Sequence, residues 1–239
     1  MSVPQQLPLG IGLNDDAQFD NFYTSAQSPN AFAVQAVRNL LSREGEQFVC
    51  LWGGVGRSHL AQALCVEASN QGLQVQYLPL LSVRDYAFET EAIDSLLAGL
   101  EYLDLVCLDD VHAIAGMPQW ERALFHLFNR LRDAGVPLLI TSAENPAHLS
   151  IQLADLKSRL QWGLSCQLQL LTDDEKAVAL QKRAEVRGLQ LTDEVANYII
   201  QRVPRDLDQI FTLLDQLDKA SLREKRKLTI PFVKHVLGQ

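Results

Sequence analysis

The sequence predicts an α/β fold, a parallel sheet flanked by helices, followed by a smaller all-helical domain. Three observations carry that reading. Short apolar runs alternate with amphipathic helical stretches through the first two thirds of the chain. One of those runs leads at once into a glycine-rich turn. Beyond Leu171 only the helical period remains.

Each element can be justified in order. Residues 1–18, MSVPQQLPLGIGLNDDAQ, mix Pro, Gly, Gln and Asp with spaced Leu and Ile and have no helical period, so they read as a flexible tail. Ser28-Pro29-Asn30 starts a helix through Phe32, Val34, Val37, Leu40 and Leu41. Phe48 to Trp52 is a first strand, followed by the turn Gly53 to Ser58 and a helix through Leu60, Leu64 and Val66. Val75 to Leu78 is a second strand, and a helix falls within 83–100. Leu105 to Leu108 is wholly apolar, which suits a central strand covered on both faces. A helix opens at Pro118 and runs to Ala134, and Val136 to Thr141 is a fourth strand. Later helices start at Thr172-Asp173-Asp174-Glu175, at Thr192-Asp193-Glu194, after Pro204 and at Pro231, the first two with acids on the positive helix end. The division expected is a tail (1–18), an α/β base (19–170) and a helical lid (171–239).

Composition narrows the function. A net charge of -8 and a pI near 5.1 argue against non-specific DNA affinity as the main property. The basic run Arg223-Glu224-Lys225-Arg226-Lys227 reads as a solvated helix end. Cys50, Cys65, Cys107 and Cys166 sit in apolar runs without metal-ligand spacing, as core residues of a reducing cytosol would. No leader segment and no membrane span are apparent, so a soluble cytoplasmic protein is expected.

The glycine turn holds the chemistry. Gly53, Gly54 and Gly56, with Val55 between them, let backbone N–H groups converge on phosphate oxygens, and the next helix offers its positive end to the same anion. Arg57 adds a cation, Ser58 a hydroxyl suited to Mg²⁺, and His59 lies one residue further on. The usual pattern, G-x-x-x-x-G-K-[ST], is shortened here, since Leu51 stands where its first glycine would fall. Arginine also replaces its lysine, and this bulkier fork need not reach between phosphates as lysine does. Nucleotide binding is expected, with weak hydrolysis. Asp109 and Asp110 end the central strand about 50 residues downstream, where the first carboxylate can reach water on Mg²⁺ and the second can orient an attacking water. Thr141 and Ser142 close the fourth strand with hydroxyls in reach of a terminal phosphate.

Taken together, FDNF (19–22), GRSHL (56–60), LDDVHAIAG (108–116), LLITSAENP (138–146), LKSRLQWGL (156–164) and PRDLDQ (204–209) resemble the AAA+ module of the DnaA-related family. The resemblance covers nearly all of the chain after the tail and implies an AAA+ P-loop NTPase base with its lid. It assigns Arg159 as an arginine finger reaching nucleotide on a neighbouring subunit. It likewise assigns Arg205 as the lid arginine on the phosphates of its own nucleotide, and Asn21 and Phe22 as residues bordering the base. The implied ligand is an adenine nucleotide, ADP in preference to ATP, with Mg²⁺ held by Ser58 and Asp109.

The replaced lysine, the ending KLTIPFVK (227–234) and the absence of a helix-turn-helix after the lid resemble the family's regulatory branch. In the tail, Gln6, Leu7, Leu9 and Ile11 resemble the hexapeptide that binds the bacterial DNA polymerase III sliding clamp. The implied function is negative regulation of replication initiation. Docked on the DNA-loaded clamp, the protein would promote hydrolysis of DnaA-bound ATP. The implied partners are DnaA, the clamp, further copies of this chain, and DNA mostly through the clamp, which would associate the protein with the nucleoid. The alternative is an autonomous ATPase of the helicase-loader type.

Overall fold

The computed structural model describes residues 17–25, 28–85, 89–202 and 207–238. Gln6, Leu7, Leu9, Ile11 and Arg205 lie outside them.

Five parallel strands form one sheet in the order β2-β3-β4-β1-β5: β1 (Phe48–Gly53), β2 (Val75–Pro79), β3 (Leu105–Asp109), β4 (Leu138–Ser142) and β5 (Leu164–Leu168). The central strands are buried throughout, as the unbroken apolar run of β3 requires. Alternate residues feed two cores. Leu105, Cys107 and Leu139 point to one layer with α1 (Pro29–Ser42) and α2 (Arg57–Asn70). Val106, Leu108 and Ile140 point to the other. That second layer holds α3 (Leu80–Val83), α4 (Thr90–Leu97), α5 (Pro118–Ala134) and α6 (Ala154–Leu160).

β5 has no counterpart among the strands read from sequence. It is an edge strand in which only Cys166 and Leu168 are buried, so Ser165 and Gln167 dilute its apolar signal. The helix expected within 83–100 is shorter, Thr90–Leu97, and Leu80–Val83 forms a separate turn directly after β2.

Four further helices follow: α7 (Asp173–Val186), α8 (Asp193–Arg202), α9 (Leu207–Glu224) and α10 (Ile230–Val236). Thr172 and Glu175 cap α7 reciprocally, each side chain bonding the other's backbone N–H. These helices share their own core around Leu180, Ile199, Leu214, Leu217 and Phe232, each almost wholly buried.

Candidate functional site: a phosphate loop between base and lid

β1 delivers the chain to the carboxyl edge of the sheet, where parallel α/β folds place their ligands. The turn that follows is pressed from two sides. The Gly54 N–H donates to the Leu168 carbonyl at 2.8 Å, and a Cβ on Gly54 would stand 2.8 Å from that same oxygen. Gly56 has φ +100, and a Cβ there would lie 2.6 Å from the Phe22 ring. Both positions exclude a side chain for reasons of space, and Gly56 for its backbone conformation as well. Val55 lines the neighbouring cleft, and Ser58 occupies the first turn of α2.

Arg57 folds back over this loop. One terminal nitrogen donates to the carbonyls of Gly53 and Gly54, the latter at 2.6 Å, and the other lies 3.8 Å from the Asp110 carboxylate. Its Nε is buried without a partner among the described residues. The cation therefore ties the loop to the end of β3.

The two acids sit in different surroundings. Asp109, 3% exposed, accepts the Tyr77 hydroxyl at 2.6 Å and the Thr141 hydroxyl on its other oxygen. Thr141 also accepts from the Asp110 N–H at 2.8 Å, so its hydroxyl is directed at the acids and not at the open cleft. Burial, reinforced by the Asp109 charge, pushes the Tyr77 phenol well above its ordinary range. Asp110 has a left-handed backbone (φ 58), with Arg57 and His112 both 3.8 Å from its carboxylate. Desolvation by burial and the Asp109 charge raise its carboxyl above the usual value, against the opposing pull of His112 and Arg57. Tyr77 was not legible as a site residue, since a tyrosine in a strand is ordinary.

Beside the loop a largely apolar cleft opens between base and lid. Asn21, Phe22, Val55, Gly56 and His59 line it from the base, as do Asn30 and the stretch from Gln169 to Leu171. Arg183 and Phe211 line it from the lid, the guanidinium 4.3 Å from the ring centre. Asn30 clamps Gln169 at both backbone polar groups, accepting at 2.8 Å and donating at 3.1 Å, which fixes the path from β5 into the lid. Asn30, Gln169, Arg183 and Phe211 were missed by sequence reading. Asn30 looks like a helix-start residue, and no local signal shows a partner 139 positions away.

Arg159 is remote from this cleft. It stands near the end of α6, half-buried, with its guanidinium 4.5 Å from the Trp162 ring centre. Trp162 is 46% exposed, and Arg132 lies 5.8 Å from the same ring. Leu156 and Leu160 seat α6 in the core, and Glu121 fixes its approach. The Glu121 carboxylate, 1% exposed, accepts from the N–H groups of Gly116, Gln152 and Leu153 at 2.8, 2.9 and 2.8 Å. It thereby links the loop after β3 to the segment that leads into α6.

Comparison with known proteins places these features in a group. The family model for the bacterial DnaA ATPase domain matches residues 13–167. The model for the Hda lid domain matches residues 173–237. Among solved structures, domain III of the Thermotoga maritima replication initiation protein DnaA is 24% identical with a TM-score of 0.78, covering 95% of this chain and 98% of that one. The AMPPCP-bound DnaA from Aquifex aeolicus is 22% identical (TM-score 0.66), covering 85% of this chain and 65% of that one. The Thermotoga maritima RuvB Holliday junction branch migration motor is 17% identical (TM-score 0.64), covering 90% and 69%. These likenesses show an AAA+ base with a helical lid. No described helix is long and apolar enough to cross a membrane.

Proposed function

From the premise that this chain belongs to the DnaA-related AAA+ family, with a lid matching the Hda lid model, we propose that it is a negative regulator of replication initiation. It acts by promoting hydrolysis of ATP bound to DnaA while docked on the DNA-loaded sliding clamp. The observation that carries this reading is the separation of two features. A phosphate loop and cleft suit a nucleotide, and an arginine is held at the surface far from them. In this reading that arginine serves a nucleotide on another subunit.

In this reading the cleft holds an adenine nucleotide, ADP in preference to ATP. The AMPPCP in the Aquifex aeolicus DnaA structure is consistent with an adenine ligand. The loop N–H groups and α2 bind its phosphates, and Arg205 is assigned to the same phosphates. Ser58 and Asp109 are the residues that would hold Mg²⁺ there. Both Asp109 oxygens already accept a hydroxyl, which leaves each a further lone pair for a metal-bound water. When bound, the metal would offset phosphate charge. Intrinsic turnover is slow, because Asp110 faces Arg57 and His112 and is poorly disposed to orient a water.

In trans, Arg159 meets charge developing on the partner's transferred phosphoryl group, a role worth about 10³–10⁵ in rate. The tail residues Gln6, Leu7, Leu9 and Ile11 supply the clamp contact, alternate apolar side chains entering a groove. Self-association and location at the nucleoid follow from the same scheme.

The test is hydrolysis of ATP prebound to DnaA, with and without loaded clamp. It compares the parent chain with Arg159→Ala and with a Gln6→Ala/Leu7→Ala/Leu9→Ala variant. Clamp-dependent stimulation lost in both variants is expected. Robust ATP turnover by the pure protein, with no effect on DnaA, would favour an autonomous ATPase of the helicase-loader type.

A further inference from the structure

The end of the lid carries a charge opposite to that of the molecule. Between 219 and 235 the only acid is Glu224, against Lys219, Arg223, Lys225, Arg226, Lys227 and Lys234, in a chain whose net charge is -8. Sequence shows only the run 223–227. The fold adds Lys219 from the preceding turn of α9, and Lys234 and His235 from α10. Arg223 and Arg226 approach the partly buried Glu224 at 3.7 and 3.6 Å, and the His235 ring reaches the same acid from α10 at 3.8 Å. The guanidinium of Arg226 is 5.3 Å from the Phe232 ring centre and the ammonium of Lys234 is 5.8 Å from that of Tyr198. Lys219, Arg223 and His235 line a shallow depression between α9 and α10.

The character of this surface selects its partner. Phe232 and Val233 are fully buried, so α10 directs its apolar side into the lid core and offers no greasy face. Phe232 is buried beneath Arg226, where no base could stack on it. Apart from the exposed Leu222, what remains is a set of exposed ammonium and guanidinium groups, suited to a ladder of phosphates read without regard to sequence. We propose that the end of the lid, around Lys219, Arg226, Lys227 and Lys234, docks on the phosphate backbone of duplex DNA. The acidic remainder of the molecule is repelled by the same polyanion, so the patch sets orientation as well as contact.

Anisotropy of a short labelled duplex titrated with the full chain, without clamp or DnaA, tests this. Six phosphate contacts give a slope near -5 in log affinity against log salt, roughly a 10³-fold loss between about 50 and about 200 mM. Two duplexes of unrelated sequence should bind alike. Lys219→Glu/Lys227→Glu/Lys234→Glu, its fold checked by thermal unfolding, should lose more than about a hundredfold at low salt. The milder Lys→Gln set at the same positions should lower the slope by about 3. No saturable binding at low salt, a salt-independent affinity, or equal binding by parent and Gln variant would overturn the proposal. So would tighter capture by phosphatidylserine vesicles or polyglutamate that the duplex fails to displace.

Discussion

Replacing Glu121 tests whether α6, and with it Arg159, is held by a single buried carboxylate. In Glu121→Ala the N–H groups of Gly116, Gln152 and Leu153 lose their acceptor. Each unsatisfied buried donor costs about 1–3 kcal/mol. Water admitted beside Gln152, which is exposed, recovers part of this, so a net loss of about 3–5 kcal/mol is expected. Glu121→Gln is the sharper perturbation because it keeps the volume. Its amide offers one oxygen and turns an NH₂ toward a backbone N–H, which costs about 2 kcal/mol. Urea unfolding measures this directly, and with a slope of about 2 kcal/mol per M the midpoint falls by about 1 M. In the DnaA assay, stimulation should fall further than the folded fraction accounts for, while nucleotide binding stays intact. A Gln variant within about 0.5 kcal/mol of the parent would refute the argument that the carboxylate's second oxygen matters.

Four other outcomes follow from the geometry. Gly56→Ala puts a methyl 2.6 Å from the Phe22 ring at φ +100, and fluorescence titration should show nucleotide binding lost in a protein that still folds. Asp110→Asn removes a carboxyl whose raised value means that ionisation opposes folding. That penalty is complete above the folded-state value and disappears as pH falls toward the ordinary 3.8. The variant should therefore gain Tm at pH 7 and lose the pH-dependent part of that gain under acid; a gain that does not vary with pH would reflect only asparagine's ease at φ 58. Trp162→Ala removes the platform under Arg159, a contact worth about 0.5–1 kcal/mol at an exposed site. It should lower stimulation of DnaA about two- to fivefold, with the Phe variant in between. All four cysteines are buried, and burial pushes the Cys50 thiol up to about 12. A thiol reagent at pH 8 should leave the native protein unlabelled and react fully once it is denatured.

How much of this was readable in advance depends on where the information lies. The central strands and the phosphate turn are encoded locally. Leu105 to Leu108 is apolar without a break, and the glycines of 53–56 follow their strand directly. β5 escaped because only one side of an edge strand needs apolar residues, and Leu164 to Leu168 shows only two buried positions. The functional side chains divide in the same way. Asp109 and Arg57 sit in motifs, so their types and spacing identify them. Tyr77 matters because it meets an acid 32 positions away, Glu121 because three backbone N–H groups converge on it, and Trp162 because Arg159 and Arg132 flank one ring. Each of these is an ordinary residue for its element. Its role exists only once the sheet has brought distant segments to one edge. For the same reason the basic lid end reads as a solvated helix terminus in sequence: Lys219 and Lys234 are 15 positions apart along the chain. The packing of α10 against α9 is what makes them parts of one surface.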